Sequence, residues 1–170
     1  WRYFDTFVTE ADGWLPPDNF QEGEGGEPGR LARRTSPTNI GMGLLSTVAA
    51  HDLGYLPTDR MIERLAATLR TVESLERFEG HLLNWYDTAT RAPLMPRYVS
   101  TVDSGNLAAS LFTTAQALQD LERRPQSVAQ RLEGLRDTAG VLRGVSSSTT
   151  AGADHRRAIA SINGLSRAIA

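Results

Sequence analysis

The chain has 170 residues, of which 40% are apolar, 22% charged and 7% aromatic; this is the size and balance of one globular domain and excludes a collagenous, mucin-like or wholly disordered segment. Eighteen positive residues against twenty negative give a formal net charge of −2, which leaves no electrostatic footprint for nucleic acid or an anionic membrane. Every positive residue is Arg and there is no Cys, so lysine Schiff bases, a Walker-type phosphate loop, disulfides and thiolate chemistry are all ruled out.

Six segments carry apolar residues at spacings of three and four and read as helices. The first covers 1–9, with Trp1, Phe4 and Val8 on one side. A loop of more than twenty residues follows, with Trp14, the string from Leu15 to Glu22, and an acidic turn, Glu22 to Gly29. The second helix, 37–53, is announced by Ser36-Pro37, a capping hydroxyl followed by a first-turn proline. Gly54 to Pro57 is a short connection into the third helix, 59–78, opened by Thr58-Asp59. Gly54 and Gly80 stand where left-handed residues are expected to end the second and third helices.

A second long loop carries the strand signals, His81 to Tyr86 and Tyr98 to Thr101, a short ribbon within 81–102 around Pro93 and Pro96. The fourth helix is expected over 104–123, capped by Asp103-Ser104, and Arg124 to Gln126 leads into the fifth, 127–144. Ser146 to Thr150 reads as a loop before a sixth helix, 153–169. The chain opens inside an amphipathic pattern and ends inside another, which reads as part of a larger polypeptide. No apolar run approaches the ~20 residues that span a bilayer.

Short connections alternate with long ones, so both long loops open at the same end of the array. The second and fourth helices are small-residue, nearly uncharged and apolar around most of their circumference, which suits inner positions; the third and fifth carry charged faces and suit outer ones. The expected class is all-α, an incomplete α/α toroid over residues 1–170, with a plain six-helix bundle as the competing architecture.

The two loops bring aromatic rings, planar amides, carboxylates and Arg to one end. Rings stack on the C–H faces of pyranoses, while amides and carboxylates grip vicinal hydroxyls, so the mixture suits a sugar. Asp18, Glu22, Asp87 and Asp103 are the loop carboxylates available for glycosidic-bond chemistry, which needs two of them facing each other. Trp14 and Phe20 serve equally well as plugs of the rim, and Asp103 to Asn106 equally well as a helix cap. His51, near the C-terminal end of the second helix, reads as structural, and His81 is open. His51, His81 and His155 are too dispersed for a local metal motif, so neither metal nor cofactor is expected.

Four strings, Leu15 to Glu22, Arg34 to Gly41, Gly80 to Thr88 and Pro96 to Leu107, in that order, resemble the cyclic β-1,2-glucan synthases, large bacterial inner-membrane enzymes. The resemblance covers about residues 1–120; residues 121–170 match only as generic helix. It departs at Arg33, where that family usually has His, and at the acidic Gly-rich turn, which is longer here.

The resemblance implies the N-terminal half of the central glucoamylase-like domain, an (α/α)6 toroid that transglycosylates a linear β-1,2-glucan onto itself to close the ring. It implies a parent in the inner membrane with this domain on the cytoplasmic side, and partners that are β-1,2-glucan and the rest of the parent polypeptide. Its catalytic glutamates are expected beyond residue 170, so this segment supplies none and would be inactive alone. The substrate-binding residues expected here are Asp18, Asn19, Gln21, Arg34, Trp85, Tyr86, Asp87, Tyr98, Asp103 and Asn106. The alternative is a non-catalytic carbohydrate-binding or scaffold domain; a hydrolase of the same shape is a third, weaker reading.

Overall fold

The computed structural model describes residues 1–148 and positions 160, 161 and 164. Among these the fold is all-α, with five helices and strands only as three antiparallel pairs of two residues each. Helix α1 spans Arg2–Phe7 and is followed by a 3-10 turn at Glu10–Asp12. Helices α2 (Pro37–Asp52), α3 (Thr58–Ser74), α4 (Thr101–Arg123) and α5 (Val128–Ser148) follow in chain order. The expected sixth helix, 153–169, lies almost wholly outside the described residues.

Helix α2 is the centre of the array, packed against both α3 and α4. Ser36 caps it, its hydroxyl accepting from Asn39 N at 3.2 Å, and Pro37 takes the first helical position, where a missing N–H costs nothing. At Gly41 a Cβ would lie 2.5 Å from Ser110 Oγ of α4, so the missing side chain sets how closely the two helices approach. Helix α4 buries only the stripe of Leu107, Ser110 and Thr114 against α2. Val102 and Phe112, 70% and 79% exposed, leave the rest of its apolar circumference open, which is less burial than an inner position implies.

Two core clusters run along α2. Leu15, Ile40, Val72, Leu75, Leu82, Leu83, Tyr86 and Leu107 lie beneath the long loops; Leu44, Val48, Ala50, Leu56, Met61 and Leu65 form the other end. Arg64 of α3 fastens α1 to this frame. Its guanidinium lies over the rings of Trp1 and Trp14, at 5.1 and 5.5 Å, and donates to Phe4 O and Val8 O. Burial lowers its pKa, with Asp5 opposing. Trp14 is thus a structural residue, and Phe20 stacks on Phe7 at 5.0 Å.

Several boundaries differ from the sequence reading. Helix α3 stops at Ser74, because Arg77–Phe78 (β4) and His81–Leu82 (β5) form a hairpin across Glu79-Gly80. Both turn residues have positive φ, 49° and 85°, the pattern of a two-residue hairpin turn, so Gly80 turns the hairpin and does not end a helix. Gly54, at φ 79°, does follow α2 as expected. Helix α4 begins at Thr101 with Ser100 as its cap, accepting from Asp103 N at 3.2 Å. Helix α5 continues through Ser148, absorbing the serines read as a loop; no proline or left-handed glycine interrupts it.

His51 is buried, with Thr58 Oγ1 at 3.0 Å from Nε2 and Asp52 Oδ1 at 3.1 Å from Nδ1, the structural role expected of it. Gln126 donates to the carbonyls of His51 and Leu56, tying the start of α5 to the α2–α3 turn.

Replacing Gly41 with Val is expected to destabilise the chain by about 1–3 kcal/mol through overpacking against α4. The same residue at the exposed neighbour Met42 should change stability by less than about 0.5 kcal/mol. Urea unfolding of the two variants measures the difference.

Candidate functional site

Both long loops fold over the N-terminal ends of α2 and α4. Phe20–Gln21 (β1) pairs with Arg30–Leu31 (β2), so the acidic turn is the tip of a hairpin within the first loop. Arg34–Thr35 (β3) then pairs with Tyr86–Asp87 (β6) of the second loop, with Arg34 opposite Asp87 and Thr35 opposite Tyr86. This pair joins the loops to each other.

A buried carboxylate holds the junction. Asp12 Oδ1 accepts from Arg33 Nη1 at 2.5 Å and Thr88 Oγ1 at 2.9 Å, and its Oδ2 accepts from Thr9 Oγ1 at 3.1 Å. Arg33 precedes β3 and Thr88 follows β6, and Thr88 N donates to Arg33 O. A carboxylate with 6% side-chain exposure is accommodated there because three donors meet it.

Above this junction Arg34 makes the central contact. Its Nε and Nη2 donate to Asp18 Oδ2 at 3.1 and 2.9 Å, and its guanidinium lies 4.4 Å from the centre of the Trp85 ring. Asn19 and Asn39 also donate to Asp18. An open cavity of about 530 Å³ is lined by Asn19, Gln21, Arg30, Arg33, Arg34 and Asp87, with Leu31 and Ala32 at its wall. Three guanidinium groups there stand against the carboxylates of Asp12, Asp18 and Asp87. The charges balance, and the result suits a neutral polyhydroxylated ligand better than an anion.

Asp87 caps its own turn. Its Oδ1 accepts from Thr90 N, Thr90 Oγ1 and Ala89 N, at 2.8, 3.0 and 3.0 Å. The Thr90 N–H, with help from the Thr90 hydroxyl, Ala89 N–H and Arg33, outweighs burial and lowers the Asp87 pKa.

Next to this cavity lies a second group around Asn84, which is 5% exposed. An indole N–H can only donate and a carboxylate only accept, which fixes the amide orientation. Asn84 Oδ1 faces Trp85 Nε1 at 2.9 Å and the Tyr98 hydroxyl at 2.7 Å, while Nδ2 donates to Asp103 Oδ2 at 2.9 Å. Asp103 is also hydrogen-bonded to the hydroxyls of Ser100, Thr38 and Ser36 and to the backbone of Thr38. It therefore joins the starts of α2 and α4. Burial opposes its ionisation, but these bonds outweigh burial and its pKa lies below the ordinary carboxylate value. Asn106 Nδ2 donates to Thr38 Oγ1 at 3.1 Å on the same face.

Of the expected residues, Asn19, Gln21, Arg34 and Asp87 line the first cavity, Asp18 and Trp85 lie against Arg34 at its edge, and Tyr98, Asp103 and Asn106 belong to the adjoining Asn84 group. Tyr86 departs from expectation. Its side chain is fully buried in the core, its hydroxyl donating to Glu76 O at 2.6 Å and accepting from Leu83 N at 2.7 Å, so it supports β6 from below. Among the carboxylates, Glu22 is exposed near the tip of the β1–β2 hairpin, and Asp18 is committed to Arg34. Asn84 and Asp12 are key residues the sequence reading did not single out, and Arg33 entered it only as a departure from the family's usual His; their partners lie many positions away, and only the Asn-Trp pair at 84–85 offers a local signal. A larger cleft, about 750 Å³, lies at the C-terminal end of α2 between helix surfaces including Val48, Phe112 and Gln130. Neither long loop reaches it.

Asp87 and Asp103 ionise more easily folded than unfolded. Their contribution to stability is complete above the ordinary carboxylate pKa and is lost as pH falls through their lowered folded values. Asp103→Asn is therefore expected to cost about 1 kcal/mol at neutral pH, a charged hydrogen bond discounted for partial exposure. It should also flatten the decline of stability below about pH 4. Urea unfolding between pH 2.5 and 7 measures both.

No protein-family model matches the chain. The chain is 44% identical over 144 residues to the cyclic beta-(1,2)-glucan synthase NdvB of Rhizobium meliloti (strain 1021). The matched stretch is 84% of this chain, and the chain spans only 5% of that protein. Over most of its length, then, the chain is similar to one short stretch of a cyclic β-(1,2)-glucan synthase, in keeping with the strings of its two long loops.

Proposed function

We propose that this chain is the glucan-binding part of the cyclisation domain of a cyclic β-1,2-glucan synthase, the N-terminal half of a glucoamylase-like α/α toroid. In its parent it sits on the cytoplasmic side of the inner membrane and holds the linear chain that a transglycosylase closes into a ring. The observation that carries this reading is the meeting of Asp18, Arg34 and Trp85 from two loops beside one cavity. An exposed guanidinium and planar amides grip hydroxyls, and a partly exposed indole such as Trp85 is the kind of surface that packs on a pyranose ring. The similarity to a protein named for cyclic β-(1,2)-glucan supplies the sugar.

The carboxylates described here bind and position. A general acid of glycoside chemistry needs a raised pKa, and Asp87 and Asp103 are lowered, while Asp18 is paired with Arg34. None of the three suits the proton donor, which in this reading comes from elsewhere in the parent.

Linear β-1,2-glucan is expected to bind the chain without being converted to a ring. Trp85→Ala should weaken that binding about tenfold or more, and Arg34→Ala by a similar factor, measured by isothermal titration calorimetry. In the full-length parent, Trp85→Ala should reduce cyclic product while linear glucan is still elongated. Unchanged affinity and unchanged ring yield in both variants would overturn the reading.

A further inference from the structure

The β4–β5 hairpin stands beside the Asn84 group and encloses a second cleft, about 380 Å³, within the size range of small-ligand sites. Its floor is Leu83 and Val99. Its sides are Phe78, 58% exposed, and Tyr98, 44% exposed. Two large rings left open to solvent on one cleft offer apolar faces suited to a ligand that has an apolar face of its own.

The rim is polar and flat. Arg97 Nη1 and Nη2 donate to the two oxygens of Glu76 at 2.8 and 3.1 Å, a bidentate pair half exposed on both sides. Such a pair fixes a plane of N–H donors and carboxylate lone pairs, suited to neighbouring hydroxyls. The charges cancel within the pair, and Arg77 is spent on the Val72 carbonyl near the end of α3, so the cleft offers an anion little.

We infer that this cleft is a second sugar subsite, holding a more distant part of the same glucan whose nearer part lies against Trp85; the inference rests on the proposed function. Continuity supports it. Tyr98 lines the second cleft with its ring, and its hydroxyl meets Asn84 Oδ1, which also receives the Trp85 indole N–H. Arg34, which lines the first cavity, lies on the Trp85 ring, so a contact chain of four side chains, Tyr98, Asn84, Trp85 and Arg34, links the two clefts. Phe78 and the Arg97–Glu76 pair are new ligand contacts in this assignment. The occupant is an uncharged glucan long enough to reach past Tyr98.

The test is calorimetric titration of the 170-residue chain with linear β-1,2-linked gluco-oligosaccharides of three and of ten units. The longer one is expected to bind more tightly. Phe78→Ala should weaken the longer ligand about fivefold to tenfold and leave the trisaccharide unchanged. Phe78→Trp, which keeps a stacking face, should retain the wild-type preference and guards against a folding defect. Equal wild-type affinity for both lengths, or a Phe78→Ala loss shared by both, would overturn the second subsite while leaving the Trp85 cavity standing. Failure of the wild-type chain to bind either length would overturn the proposed function and this inference together.

Discussion

The arrangement depends on an antiparallel pairing only two residues long. Arg34-Thr35 and Tyr86-Asp87 come from loops more than fifty positions apart, and two residues of ladder would not hold them alone. Two buried groups supply the rest. Tyr86 anchors the pair from below, in the core cluster and on Glu76 and Leu83, and Asp12 clamps the residues immediately flanking it, Arg33 and Thr88. Losing either group would leave a buried polar partner unpaired, which is how a short ladder becomes a rigid one.

That rigidity bears on binding. Arg34 alternates with Thr35 on its strand, so the pairing turns the guanidinium outward toward Asp18 and Trp85 while Thr35 points into the core. The Asn84 amide and Asp103 carboxylate perform the same service one step further along, fixing the Trp85 indole edge, the Tyr98 hydroxyl and the starts of α2 and α4. Side chains fixed before a ligand arrives lose less entropy when it binds, and sugars, whose hydroxyls exchange water for protein at small net gain, depend on that economy.

The sequence reading was most accurate where the signal is local. Ser36-Pro37 starts α2 because a hydroxyl cap and a first-turn proline need only their own neighbours, and Gly54 follows α2 for the same kind of reason. The third helix was read too long because Arg77 and Phe78 continue its spacing; only pairing with His81 and Leu82 makes them strand. Ser100 took the capping role assigned to Asp103, one position of a four-residue motif mistaken for another. In the site, residue types were legible and geometry was not. Tyr86 sits next to Trp85 in sequence, yet strand alternation sends one ring into the core and leaves the other beside Arg34. Asp12 and Asn84 escaped notice because most of their partners, Arg33 and Thr88 for one and Tyr98 and Asp103 for the other, lie far along the chain.

The most direct measurement of the central claim follows the three tryptophan indole N–H signals by 15N NMR while linear β-1,2-glucan is added. Trp1 and Trp14 lie against Arg64, away from the cavity, and Trp85 lies beneath Arg34. The expected result is a saturable shift of the Trp85 indole signal, with those of Trp1 and Trp14 nearly unmoved. A Trp85 signal unmoved at millimolar glucan, or equal shifts of all three, would contradict a glucan groove built from these two loops.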